Sequence, residues 1–305
     1  MEPKKYELLD ELEYQRSSFQ KKKLAVALPL IFGAAILFIL LIVFMGSESA
    51  FVGILSYIMI AMMIGLFIAG ILVFSIYQKK LSALKAIVER DIVKPTIESF
   101  YEDCEYSKKD GLSYHDIKDS LIVPHHDVFN SSNLIVGKSE GVSFVQSSVF
   151  LQEKRQYTDN NGVVHTSYIT TFNGIFTVFS FPKKTENQVI VSESFSSMPG
   201  FRKVQFESID FNKKFKTFSK TELDAFKLIT PLFIDEILGI EREYPGLISF
   251  SFYDNFLVFA INERRPRFQV KMNKPINIQL ISQIEKDAGI IRRIVKSLRL
   301  NQNIF

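Results

Sequence analysis

Apolar residues are gathered unevenly along this chain. Leu24 to Met45 and Phe51 to Tyr77 contain no Asp, Glu, Lys or Arg, and each exceeds the roughly 20 residues a helix needs to cross about 30 Å of hydrocarbon. The pattern predicts transmembrane helices at 24–45 and 51–77, joined by an external connector at 46–50 that forces an antiparallel hairpin. In the N-terminal segment 1–23, Leu8, Leu9, Leu12 and Tyr14 lie among Glu7, Asp10, Glu11 and Glu13. This reads as an amphipathic helix whose acids an anionic leaflet would repel, hence a bland tail or a partner-docking helix. Leu81, Leu84, Ile87, Val88, Ile92 and Val93 then recur at helical spacing, predicting a stalk over 78–104 that Pro95 interrupts.

From Asn133 the pattern changes to strands, and residues 105–305 are expected to form one α+β domain with an antiparallel β-rich core. Gly141–Tyr157 and Val163–Phe181 flank Asp159-Asn160-Asn161-Gly162, whose Asn-Gly supplies positive φ for a hairpin. A second Asn-Gly, Asn173-Gly174, is read as a bulge within the following strand. Further strands are expected at Gln188–Glu193 and Phe201–Phe206, and a second hairpin at Leu247–Tyr253 and Phe256–Ile261 around Asp254-Asn255. Ser113 with Asp116 is a candidate cap for a short helix. Ser219 with Glu222 forms a capping-box pattern for a second, and Thr230-Pro231 starts a third that Pro245-Gly246 ends. Asn277–Leu300 reads as a helix with Ile284, Ala288, Ile291, Val295 and Leu298 on one face. Its basic side holds Lys286, Arg292, Arg293, Lys296 and Arg299. The apolar face is expected to pack on the domain's own sheet, with another copy or the membrane as the alternatives.

Charge fixes the expected orientation. Lys21-Lys22-Lys23 precedes the first span and Lys79-Lys80 follows the second, while the connector has no base. The positive-inside rule therefore places both termini in the cytoplasm of a multi-pass inner-membrane protein. A secretory signal would have an apolar core of only about 7–15 residues and no strongly acidic leader. The net charge of +4 is too small to point to nucleic acid. The single cysteine, Cys104, excludes an internal disulfide.

Within the spans, Ala61, Gly65 and Ala69 form a small-residue stripe, and Gly33, Ala34 and Ala35 lie at a similar distance from the connector. Small residues allow close helix approach in lipid, so Gly33, Ala61, Gly65 and Ala69 are the expected packing contacts. No ionisable residue lies at membrane depth, which favours an anchor over a transport pathway.

Chemistry-bearing patterns are sparse. His125-His126-Asp127 would need His115 or His165 to complete a metal site, because neighbouring side chains on an extended chain point to opposite faces. Gly137-Lys138-Ser139-Glu140-Gly141 has a Gly-Lys-Ser string but lacks the upstream glycine and following helix of a P-loop. Cys104 sits in a strand-like context, where a thiol is ordinarily inert. Arg264, Arg265 and Arg267 form a compact basic cluster, a candidate contact for an anionic ligand or lipid headgroup, with a solvated loop as the alternative. No catalytic residue, metal ligand or cofactor follows from these patterns.

The two-span hairpin, the stalk and the strand signature Gly137 through Gly141-Val142-Ser143-Phe144 resemble a bacterial membrane-protein family catalogued as domain of unknown function 3137. So do Phe172-Asn173-Gly174-Ile175-Phe176 and the run from Asp210-Phe211-Asn212-Lys213-Lys214-Phe215 to Leu228-Ile229-Thr230-Pro231. Ile248-Ser249-Phe250-Ser251-Phe252 and Phe256-Leu257-Val258-Phe259-Ala260-Ile261 extend the resemblance over most of residues 80–265. It implies a bacterial inner-membrane protein and brings no activity or catalytic residue with it. The expected function is a binding or scaffold domain held at the membrane, with the lipid bilayer and a protein partner or second copy as partners. The alternatives are a membrane-associated hydrolase or transferase, or a subunit of a small transporter or channel complex.

Overall fold

The computed structural model describes residues 2–44, 50–263 and 267–301; most of the connector, together with Arg264 and Arg265, lies outside these residues. The chain divides into two compact units, Met1–Val93 with Val270–Gln283 and Lys94–Gln269 with Ile284–Phe305.

The first unit is built on two long helices, α1 (Glu2–Phe44) and α2 (Ala50–Val88), which pack against each other. The N-terminal segment and the first apolar stretch are one helix with Pro29 inside it, so no element boundary falls at residue 23. Of the most apolar window of each helix only 11% and 6% is buried. Phe32, Ile39, Ile54 and Leu72 are among the exposed side chains.

The helix contact differs from the expected stripe. A Cβ added at Gly70 would lie 2.9 Å from Ile31 Cγ1, and one at Gly33 3.5 Å from Leu66 Cδ1. At Gly65 it would meet nothing within 4 Å, and Ala61 is exposed while Ala69 is half-buried. Gly33 therefore takes part, whereas Ala61 and Gly65 look outward. Positions four apart drift across a helix surface, while Met59, Leu66, Gly70 and Val73, spaced by sevens, fours and threes, hold one seam.

The N-terminal turns are not a bland tail. Leu9 and Leu12 are buried, Arg16 donates to the Met272 carbonyl at 3.1 Å, and Glu13 accepts the Ile276 backbone N–H at 2.7 Å. Gln20 also donates to the Met272 carbonyl. The expected interruption near Pro95 appears as a π-turn at Glu89–Val93; proline has no N–H to donate to the carbonyl of residue i−4 and its ring crowds that carbonyl, and a wider turn absorbs the mismatch.

The second unit opens with α3 (Lys94–Glu98), after which β1 (Glu102–Ser107) takes Cys104 into a sheet, so the helical stalk ends earlier than expected. α4 (Tyr114–Ile117) follows, and the Asp116 carboxylate accepts from the Ser113 backbone N–H and hydroxyl at 2.6 and 2.8 Å. The remaining strands are β2 (Val128–Ser139), β3 (Val142–Thr158), β4 (Val164–Ser192), β5 (Arg202–Val204), β6 (Lys216–Ser219) and β7 (Leu247–Asn262). They form one antiparallel sheet in the order β1-β2-β3-β4-β6-β5, with β7 also paired to β4.

β4 is the spine of this sheet. It absorbs both the strand expected at 163–181 and the one at 188–193. β7 is likewise a single strand where a second hairpin was expected: Asp254 takes a φ of +46° inside it and is paired with Thr185. The turn-like Asp254-Asn255 matches an irregularity of β4 between Ser180 and Val189, so pairing continues on either side. The bulge expected at Asn173-Gly174 lies instead between Phe172 and Thr170, opposite Leu151 and Gln152.

Four helices complete the unit. α5 (Ile209–Lys214) is capped by Ser208, and α6 (Glu222–Leu228) by Thr221, two residues beyond the expected Ser219, which ends β6 instead. α7 (Pro231–Glu243) starts on Thr230, which accepts the Phe233 N–H at 3.2 Å as the Thr-Pro signal requires. α8 (Ile278–Ser297) buries Ile284, Ala288, Ile291 and Val295, with Leu298 buried just beyond it. Its basic side is largely engaged by the same unit. Arg293 pairs with Glu236 and Glu243 on α7, Lys296 with Glu140, and Arg292 donates to the Phe100 carbonyl at 2.6 Å. This agrees with packing on the domain.

Candidate functional site

Strand register assembles one surface feature that no single segment encodes. Val136 of β2 pairs with Val145 of β3, Val145 with Val178 of β4, and Val178 with Val258 of β7. Side chains directly opposite one another share a face, so these four valines form an apolar row across the sheet. Two residues further along, the same face carries Lys138, Ser143, Ser180 and Phe256. Elsewhere this face is covered by Leu112, Ile117 and Ile122, which pack with Val149, Leu151, Phe176 and Ala260. Beyond that cover it is open. Val136 and Phe256 are exposed there and, with Val145, Val178, Lys138, Ser143 and Ser180, line a trough of about 260 Å³, while Val258 is buried in the core at the end of the row.

One ion pair marks the rim. Lys138 Nζ lies 2.9 Å from Asp103 Oδ2, and both side chains are well exposed. The Lys138 ammonium holds the Asp103 carboxyl below its ordinary range, and Asp103 in turn raises Lys138. The lining offers apolar contact, two hydroxyls and this pair. Among the described residues neither the Ser143 nor the Ser180 hydroxyl is bonded to a base in the nucleophile–base–orienter arrangement that acyl or phosphoryl transfer requires.

The patterns weighed in the sequence fall elsewhere. Asp127 is committed to the backbone, accepting the Lys154 N–H at 2.6 Å, and His126 Nδ1 lies 2.9 Å from the Pro124 carbonyl. His165 Nε2 sits 2.9 Å from Asp159, away from this pair. Among the described residues no three His, Cys, Asp or Glu side chains gather as a metal site. The Gly-Lys-Ser string leads into the β2–β3 turn, where Glu140 and Gly141 both have positive φ, +51° and +79°, in the manner of a two-residue I′ hairpin. Cys104 is half-buried, and burial together with Glu98 and Glu105 pushes its thiol up to about 11, which keeps it protonated and unreactive at neutral pH.

Arg267 is not a ligand contact. It forms an ion pair with Glu263, both side chains being 1% exposed, and donates to the Asp287 carbonyl at 3.0 Å. Arg264 and Arg265 lie outside the described residues. The trough residues were missed because their signal, apolar positions two apart in four strands, becomes a site only once the register is known.

Residues 170–300 match the family described as protein of unknown function, DUF3137. The matched segment runs from within β4 through α8 and so contains β7, Phe256 and the β4 side of the trough. The crystal structure of the mycobacterial trehalose monomycolate transport factor A, TtfA, is similar over 65% of this chain and 92% of its own, at 10% identity and a TM-score of 0.35. No curated protein matches the sequence.

Proposed function

We propose that this chain is a two-pass protein of the inner membrane, with both termini cytoplasmic, that presents its α+β domain as a binding or scaffold module. The observation that carries the anchor is the bare apolar surface of α1 and α2, since a core helix of a soluble protein would have its most apolar window largely buried rather than 11% or 6%. Lys21-Lys22-Lys23 and Lys79-Lys80 at the outer flanks support the orientation. The trough supports recognition over catalysis, because apolar rows open to solvent mark contact surfaces. Its expected occupant is an apolar side chain of a protein partner.

Two measurements test this reading. The protein should stay with membranes through alkaline extraction, and a cysteine placed at Ser47 should react with an impermeant thiol reagent from outside while one near the C-terminus should not. A photo-crosslinking residue at Phe256 should trap a partner in membranes, and Val178→Lys should abolish the adduct. Release at alkaline pH would remove the anchor; a crosslink insensitive to Val178→Lys would remove the trough.

A further inference from the structure

Arg292, Arg293 and Lys296 of α8 and the buried Arg267 are held by their own unit, whereas a group of bases on the α5–β6–α6 surface is not. Residues 202–227 contain seven Lys or Arg against four Asp or Glu. Lys214 is paired with Glu241, and Lys216 donates to the carbonyls of Asn212 and Lys213. Arg202, Lys203, Lys213 and Lys220 are exposed and form no ion pair among the described residues, while Lys227 is exposed and interacts electrostatically with Asp224. Register brings the strand members together, for Arg202 lies opposite Ser219, next to Lys220.

The same segment exposes large apolar side chains. Ile209 on α5 is 68% exposed, and Leu223 and Phe226, three apart on one side of α6, are 62% and 48% exposed. The two helices are joined beneath by Phe206, whose ring lies 5.6 Å from Phe211 and 5.3 Å from Phe226. The protrusion is therefore braced. Buried Ala225 and Leu228 fix the opposite side of α6, so Leu223 and Phe226 point outward because the helix is docked that way.

From this juxtaposition we infer that the α5–β6–α6 surface is a peripheral docking site for an anionic lipid leaflet, with Ile209, Leu223 and Phe226 entering the interface and Arg202, Lys203, Lys213, Lys220 and Lys227 meeting the headgroups. Apolar protrusions beside an excess of bases, seven against the four acids Glu207, Asp210, Glu222 and Asp224, combine the two interactions that hold proteins to such a surface. Charge complementarity selects lipid over a basic or neutral protein face. The inference rests on the membrane anchor proposed above, which keeps a leaflet within reach of the domain.

The test uses the full chain in lipid nanodiscs, with Cys104→Ser as background and a polarity-sensitive fluorophore on Phe226→Cys or, as control, Tyr168→Cys. In discs containing phosphatidylglycerol the label at 226 should shift to the blue and be quenched by headgroup spin-labelled lipid. With Lys213→Gln and Lys220→Gln partitioning should fall roughly twenty-five-fold, about fivefold per base lost, and in phosphatidylcholine discs quenching should fall as well. The label at 168 should stay unquenched throughout. A label at 226 that is never quenched, or is quenched equally in both lipids, overturns the inference. A blue shift without lipid quenching that grows with protein concentration also overturns it and makes a second copy the occupant. Failure of the chain to enter discs at all is a separate result, which removes the anchor reading together with this one.

Discussion

Glu13 on α1 accepts the Ile276 backbone N–H at 2.7 Å, tying two residues 263 positions apart in sequence. Arg16 donates to the same carboxylate and to the Met272 carbonyl, so one ion pair secures both ends of a loop segment. The pairing with Arg16 leads the effects that hold the Glu13 carboxyl below its ordinary value of 4.5. A carboxyl lowered in the folded state contributes stability that is present above its unfolded value and is lost as pH falls through the folded one. Glu13→Ala should cost about 1–2 kcal/mol, the lower part of the range for bonds to a charged group because the site is partly solvated. Urea midpoints followed from pH 7 downward should converge for wild type and Glu13→Gln below about pH 4.5. Parallel curves would show that the carboxylate does not hold the loop.

The seam between α1 and α2 is tested at two glycines. Gly70 has Ile31 Cγ1 2.9 Å from where a Cβ would sit, while Gly65 faces open space. Gly70→Leu should weaken the helix pair by about 1–3 kcal/mol through overpacking, and Gly65→Leu should change it by less than about 0.5. Denaturation in mixed detergent micelles reads the difference. A larger effect at Gly65 would restore the stripe through Ala61.

Arg267 and Glu263 are buried together, so removing Arg267 takes this ion pair away from a carboxylate that stays in the interior. Arg267→Ala should lower stability by about 3–5 kcal/mol, while the double change Glu263→Leu with Arg267→Met should recover much of the loss. Equilibrium unfolding of the two variants decides it. A mild single variant would mean that the pair is wetter than its burial indicates.

How far the fold was legible depended on the range of the signal. Charge-free spans and the Thr230-Pro231 start are local, and the structure carries both as long apolar helices and as α7. Asp254-Asn255 misled because its local turn chemistry was overruled by pairing of β7 with β4 on both sides. Arg267 misled in the same way. Beside Pro266 it reads as loop, yet Glu263 four residues earlier was the available clue to an ion pair. The trough was out of reach altogether, since Val136, Val145, Val178 and Phe256 meet only through three successive registers.

A close approach of neighbouring strands at a glycine gives the sharpest test. At Gly174 of β4 an added Cβ would fall 1.8 Å from the Ile261 carbonyl oxygen and 2.9 Å from its carbon. Those are backbone atoms of the neighbouring strand, so no side-chain rotation can relieve the overlap; β4 and β7 would have to separate. Gly162 and Gly141 present the opposite case, with φ of +82° and +79° and nothing within 4 Å. Alanine there meets only the intrinsic penalty of a left-handed conformation, about 1 kcal/mol. Gly174→Ala should therefore cost more than about 3 kcal/mol, in the range of severe core disruption. It should also increase amide exchange at Ile261 and Asn262, which a turn substitution at Gly162 should leave unchanged. Urea unfolding of the detergent-solubilised full chain supplies the comparison. Should Gly174→Ala prove no more damaging than Gly162→Ala, β7 does not run against β4 at this register, and the apolar row from Val136 to Val258 loses its last member.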